Sequence, residues 1–363
     1  MLDYTPEHIH APALAIEVGQ TTVRALLYVP GMPREDSYSW QLPSPDSILA
    51  RRIHSCTALR KAIHLQGTGP GPAALQALLE HASSKAPASM HPETAAFLTG
   101  TQSALEVLGI AVTGIAQPES IVMEAADHDP AFWLALADMC GLPQPEITLV
   151  AAFEHGRLLD GEKTPDAPPL LFLKLMRNHA DGLALDSLMG REAEEGMLRL
   201  SAIRRMTGFP VLDTSFAFIL GLMALPALAG RALRQGVTLI HLDARRLLAA
   251  LVFRGRLLGL LYLPIRELSH ESMAFSPQRL LGLLEDFRLG WLPMEKTTEL
   301  GGAVWRSAQL PPEAEGFAPM FASGPHSHLL DGHVRVLDAR EANEMVVCRG
   351  LLHGYDRMLG GKG

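Results

Sequence analysis

The chain has 363 residues, a formal net charge of -8 and a pI of about 6.0, with 48% hydrophobic and 19% charged residues. That apolar share excludes a disordered chain, and the length suggests two domains, each able to bury a core. The negative balance gives no global basic field, so neither nucleic acid nor an anionic membrane is an expected partner.

In chain order, apolar runs predict a strand at 13–18, a turn at Gly19-Gln20-Thr21-Thr22 and a second strand at 23–29. A third strand is predicted at 38–42, a helix at 46–55 and a strand at 62–65. The loop Gly67-Thr68-Gly69-Pro70-Gly71-Pro72 then leads into a helix at 73–82, with Pro72 suited to a first helical turn. Helices at 92–108 and 130–140 and strands at 121–125 and 147–153 complete the first half. Charge, glycine and proline mark 157–169 as the linker, dividing a first domain, 1–165, from a second, 166–363.

The second half opens with an apolar strand at 170–175 and helices at 192–206 and 214–225. A three-strand meander follows at 237–242, 247–253 and 257–263, its second turn Arg254-Gly255-Arg256 reading as a hairpin. A helix at 277–289, a short strand at 319–323 and a helix at 343–358 close the chain. Both halves share a plan of strand, turn, strand, strand, then alternating helices and strands, which predicts mixed sheets covered by helices.

The start of the chain, Met1 to His10, has neither the cationic beginning nor the apolar core of a signal peptide. The most apolar run, Phe216 to Gly230, contains Pro226 and is too short for an ordinary membrane span; it reads as a buried helix capped by Asp213 or Thr214. The cytoplasm is the expected location. Cys56, Cys140 and Cys348 are far apart and odd in number, so buried apolar thiols are expected rather than disulfides or a thiolate-bound iron–sulfur cluster.

The stretch Ala15-Ile16-Glu17-Val18-Gly19-Gln20-Thr21-Thr22, followed by Leu42-Pro43-Ser44-Pro45, resembles a bacterial and archaeal family of unknown function labelled as pyruvate formate-lyase activating enzymes. Gly69-Pro70-Gly71-Pro72, Glu154-His155-Gly156, Asp213 to Gly221, Ser323-Gly324-Pro325 and Cys348 with Gly350-Leu351-Leu352 follow in the family's order. The activases of that label are radical enzymes with a CxxxCxxC iron–sulfur motif, which this sequence lacks. The family is similar to actin-like ATPases and sugar kinases at its first phosphate-binding turn. The resemblance therefore implies two ribonuclease-H-like domains, a central cleft, and ATP with Mg²⁺ as ligands.

The departures imply a divergent member. The superfamily's Asp-x-Gly has Glu17 at its acidic position, and the family's Gly-Thr-Gln-Asp is replaced by Thr21-Thr22-Val23-Arg24. The glycine-rich second hairpin has become Asp243-Ala244-Arg245-Arg246, and Glu-His-His-Thr has become Tyr262-Leu263-Pro264-Ile265. A turn poor in glycine holds its backbone away from a phosphate.

The resemblance makes Glu17 the residue that orients a metal-bound water, with Asp243 across the cleft as a second carboxylate for Mg²⁺. Gly19, Gln20, Thr21 and Thr22 would form a backbone nest for phosphate, and Arg245 or Arg246 could hold an anion. The alternative is a polar hairpin and a locally paired Asp–Arg turn. Gly69 and Gly71 lack a following Gly-Lys-[Ser/Thr], so their loop is a strand-to-helix connector or a set of amides touching a ligand. Gly324 joins the ligand-contacting set through the family resemblance.

His8 with His10, Asp127-His128-Asp129, and His326 with His328 show no zinc spacing and read as core or solvent-facing histidines. Three functions stay open. They are a degenerate binder of a nucleotide or phosphorylated small molecule, a non-catalytic interaction scaffold, and a small-molecule or metal enzyme.

Overall fold

A computed structural model describes residues 6–19, 21–32, 37–154, 182–189, 197–242, 246–265, 276–337 and 345–361. The predicted linker at 157–169 and strand at 170–175 lie outside the described residues, as do Gln20, Asp243, Ala244 and Arg245. The chain divides into two compact units, one of residues 11–165 and 193–211, the other of 1–10, 166–192 and 212–363.

The first unit begins with β1 (Ala13–Val18), buried throughout, and β2 (Thr22–Tyr28), paired antiparallel from Ala13↔Tyr28 to Val18↔Val23. β3 (Tyr38–Pro43) pairs antiparallel with β2. Ser44 then caps α1 (Pro45–Ala58), its hydroxyl accepting the Ser47 amide at 3.1 Å. β4 (Ile63–Gly67), α2 (Pro72–Ser83), β5 (Ala88–Met90), α3 (Pro92–Leu98), α4 (Gln102–Val107), β6 (Ile110–Val112) and β7 (Ile121–Ala125) follow. α5 (Pro130–Met139), β8 (Ile147–Ala152), α6 (Leu198–Thr207) and β9 (Val211–Asp213) complete the series; within β9 the chain passes to the other unit.

Two sheets result. One runs β3-β2-β1-β8-β9, with β8 parallel to β1. The other is all-parallel and runs β6-β5-β4-β7. The sequence predicts one mixed sheet here; instead β4 and β7 leave it for a sheet of their own, joined by β5 and β6, which were not predicted. The helix predicted over 92–108 is two helices. Thr99 breaks it, its hydroxyl accepting the Thr101 amide at 3.1 Å, just where Gly100 weakens helical propensity.

The second unit carries α7 (Thr214–Met223), α8 (Pro226–Arg234), β10 (Val237–Leu242), β11 (Arg246–Phe253) and β12 (Arg256–Pro264). α9 (Pro277–Arg288), α10 (Met294–Glu299), β13 (Ala303–Arg306), β14 (Met320–Ser323), β15 (Arg335–Val336) and α11 (Val346–Gly360) follow. The sheet runs β13-β12-β11-β10-β14-β15, with β10, β14 and β15 parallel and the meander antiparallel. The predicted hairpin turn is present: Arg254 and Gly255 have φ of 46° and 72°, the left-handed pair that a two-residue turn requires.

Numbered from β1 and from β10, both sheets have the order 3-2-1-4-5 with strand 2 antiparallel, and the second adds β13 and the short strand Leu183–Ala184, both paired with its third strand. This is the ribonuclease-H-like plan, twice. The β4–β7 sheet is inserted between α1 and β8 of the first copy.

The apolar stretch 216–230 is not one helix. Pro226 starts a second helix, bent 90° from the first. Among the described residues no single helix is long and apolar enough to cross a membrane. Asp213 caps α7 as predicted, accepting the Ser215 amide at 2.8 Å. α7 and α11 pack very closely: a Cβ on Gly350 would stand 1.8 Å from the Ala217 carbonyl oxygen, and one on Gly221 would stand 1.9 Å from that of Val346. Cys56 and Cys348 are buried, but Cys140 is exposed, because it ends α5, whose outer face is not covered.

Candidate functional site

The strongest sequence candidate is the turn after β1. Glu17 is the penultimate residue of β1 and is buried; its cross-strand partner in β2 is Arg24. Arg24 Nη1 donates to Glu17 Oε2 at 3.3 Å. A buried carboxylate without a counter-charge is expensive, so the register that sets Glu17 opposite Arg24 keeps the charge inside the sheet. Beyond it, the Gly19 amide donates to the Thr22 carbonyl at 3.0 Å, and a Cβ on Gly19 would stand 2.7 Å from that oxygen. The Thr21 carbonyl accepts the Ser44 amide at 2.9 Å, tying the turn to the start of α1, while Thr21 itself is exposed. The turn sits at the carboxyl end of β1, where the chain continues to β2 on one side and β8 lies on the other. Ligand crevices in sheets of this kind form at such switch points.

The glycine loop after β4 is used differently. Gly67 has φ +103°, and a Cβ there would stand 2.4 Å from the Ala125 carbonyl oxygen of β7. Gly69 faces the Phe97 ring, and Gly71 is the N-cap of α2, with the Asp46 carboxylate where a Cβ would point. Asp46 Oδ2 accepts the Ala73 amide at 2.9 Å and Oδ1 accepts the Ala74 amide at 3.0 Å. An internal carboxylate thus stands where a helix N-terminus would receive an anion. Burial raises the Asp46 pKa, and the two amides only partly oppose it.

A buried polar network, absent from the sequence reading, adjoins this helix start electrostatically. Arg199 of α6 forks onto Asp127, Nε to Oδ2 at 2.7 Å and Nη2 to Oδ1 at 2.6 Å, and its Nη1 donates to the Phe153 carbonyl at 2.7 Å. Glu154 Oε2 accepts the Leu200 amide at 3.1 Å. Burial pulls the Arg199 pKa down, but Asp127 first, then Glu154 and Asp46, outweigh it and hold it above its usual value. His128 is buried as well, and burial pushes its pKa down to about 4. The sequence signals were Glu154 and Asp127-His128-Asp129; Arg199 lies 72 positions from its partner and gave none.

In the second unit, Gly324 follows β14 with φ +102°, and a Cβ there would stand 2.5 Å from the Leu242 carbonyl oxygen at the end of β10. The His326 amide donates to that same oxygen at 3.1 Å. Asp243 and Arg245, the other half of the predicted constellation, lie outside the described residues, so Glu17 is the one predicted metal ligand whose geometry is known. Among the described residues no group of three or more His, Cys, Asp or Glu side chains is arranged to hold a metal ion. The His8 amide donates to Asp356 Oδ1 at 2.6 Å, and the His326 and His328 rings lie tilted with centroids 6.0 Å apart.

A family model described as "Putative pyruvate format-lyase activating enzyme (DUF1786)" matches residues 68–329. No curated protein matches. Among solved structures, the inorganic polyphosphate/ATP-glucomannokinase of Arthrobacter sp. strain KM is 12% identical, with 97% of this chain and 100% of that chain covered and a TM-score of 0.30. A Bacteroides thetaiotaomicron protein with an actin-like ATPase fold and unknown function is 10% identical, covering 97% and 98%, with a TM-score of 0.36. MreB 5 of Spiroplasma citri, bound to AMPPNP, is 10% identical, covering 94% of each chain, with a TM-score of 0.34. The fold assignment rests on the strand order itself.

Proposed function

We propose that this chain, which belongs to that family, binds a nucleotide or a phosphorylated small molecule at the β1–β2 turn and transfers phosphate weakly or not at all. The observation that carries the reading is the ion pair of Glu17 with Arg24 at 3.3 Å. Phosphoryl transfer on this scaffold needs a carboxylate to organise metal or water. With a guanidinium against it, Glu17 is neutralised as a ligand for Mg²⁺, while the polar turn still offers donors to an anion.

Asp46 occupies the first amides of α2, so phosphate is assigned to the hairpin and not to Gly69 and Gly71.

Calorimetry of the full chain with ATP and ADP, each with and without Mg²⁺, tests the reading. Saturable binding with an affinity that changes less than about threefold on adding Mg²⁺, and no ATP hydrolysis above background, are expected. Absence of binding at millimolar nucleotide by folded protein overturns the binding role. Hydrolysis that disappears in Glu17→Gln overturns the non-catalytic part.

A further inference from the structure

α5 carries one charged side chain, Asp138, and is otherwise apolar, yet only Trp133 and Ala137 are buried. A helix apolar on every side is ordinarily covered on every side, as α7 is. Phe132, Ala135, Leu136 and Met139 are spaced i, i+3, i+4 and i+7, so they share one face of α5. Phe132 is 43% and Met139 77% exposed; Ala135 between them is exposed and Leu136 half-buried. The helix itself is firmly held. Asp129 caps its start, and the turn after it folds back, with the Leu142 amide donating to the Ala137 carbonyl at 2.9 Å and Gln144 Nε2 to the Leu134 carbonyl at 3.3 Å.

The charge around this face has one sign. Residues 86–156 contain nine aspartates and glutamates and no lysine or arginine, in a chain with 31 lysines and arginines. Glu124 of β7, Asp129, Asp138 and Glu146 are exposed, and none of them has an ion pair among the described residues. Asp138 stands in the last turn of α5, where the helix dipole favours a cation beside it.

An apolar stripe flanked only by carboxylates discriminates between occupants. A second copy would bring the same carboxylates against these under two-fold symmetry, and an anionic membrane surface would be repelled in the same way. A helix with its own apolar stripe and flanking lysines or arginines answers both features. We propose that the exposed face of α5 is the docking site for a basic amphipathic helix of a partner protein. The partner's apolar side lies on Phe132, Ala135 and Met139, and its cations pair with Asp129 and Asp138. α5 is about 15 Å long, which roughly three turns of a partner helix match. The face shares no residue with the β1–β2 turn, so the proposal is independent of the reading given for that turn.

Fluorescence anisotropy of the full chain with a labelled peptide of about 14 residues, leucine and lysine in an amphipathic helical pattern, is the test. Saturable binding that weakens about tenfold or more between about 50 and about 500 mM salt is expected. A peptide of the same composition in scrambled order should bind at least about tenfold more weakly, since it presents no apolar stripe. Phe132→Ser combined with Met139→Ser should cost about tenfold or more in affinity with an unchanged circular dichroism spectrum. If that double variant does not fold, Met139→Ser alone carries an expected loss of about threefold. Asp138→Asn should cost about threefold and make the salt dependence shallower. Trp291→Ser, at a similarly exposed apolar position of the second unit, should leave the affinity unchanged. The proposal is overturned if the peptide does not saturate at millimolar concentration, which would leave the face to another segment of this chain. It is overturned equally if the scrambled peptide or the folded α5 variant binds as tightly, or if Trp291→Ser weakens binding as much. A chain that sediments as a dimer, split by the α5 variant, would assign the face to a second copy and overturn it too.

Discussion

The two ribonuclease-H-like copies share a strand order but are held together by different chemistry. In the first, an inserted parallel sheet meets its host through buried charge: Arg199 of α6 on Asp127, just after β7, and the Asp46 carboxylate of α1 on the start of α2. In the second, the meander is apolar on both faces, and α7 and α11 touch closely through glycines. Polar seams fix geometry at the cost of desolvation, and they fail sharply when one partner is lost. Apolar seams fail when volume changes. The difference teaches that one topology can be stabilised by charge complementarity in one copy and by close packing in the other.

The largest expected effect tests the polar seam. Arg199→Met should destabilise the protein by about 4 kcal/mol, because Asp127 is left buried without its counter-charge. Urea unfolding measures this, and a loss under about 1 kcal/mol would break the contrast. Next comes the apolar seam. Gly350→Ala should remove about 3 kcal/mol, since the new methyl meets the Ala217 carbonyl and the helices must separate. A neutral outcome in the same assay would show that the crossing can shift freely.

The third test uses pH, because each copy buries one histidine with a pKa near 4: His128 in the first unit, His353 in the second. Burial lowers both, and for His353 Arg357 adds to it. The unfolded chain takes up protons near pH 6.5 while the native state resists until about 4, so stability falls as pH drops through that window. His128→Gln and His353→Gln should each flatten the fall by about 2 kcal/mol, read from unfolding free energies at pH 7.5 and 4. An unchanged slope in both variants would assign the acid response elsewhere. Smallest is Ile115→Ser at an 81% exposed position, which should stay within about 0.5 kcal/mol in thermal unfolding.

Much of the fold was legible. β1, β7 and β10 fall where their apolar runs predict, and the hairpin at Arg254-Gly255 follows from turn chemistry. The inserted sheet was hidden because β5 and β6 have three residues each, too few to show a period. α8 was hidden inside an apolar run whose proline starts a helix instead of merely ending one. At the site, Glu17 was readable from its motif, but its neutralising partner follows from strand register, which composition does not encode. Asp46 and Arg199 act on residues 27 to 72 positions away, beyond any local pattern.

All ten residues of α7 are buried, and α11 supplies part of that cover through Val346, Gly350 and Gly354. A premature stop codon ahead of Val346 would therefore do more than shorten the product. It would strip a nearly charge-free helix of its lid and present an adhesive surface to chaperones and proteases, so truncated alleles should vanish from the cell as protein long before they could be scored as inactive.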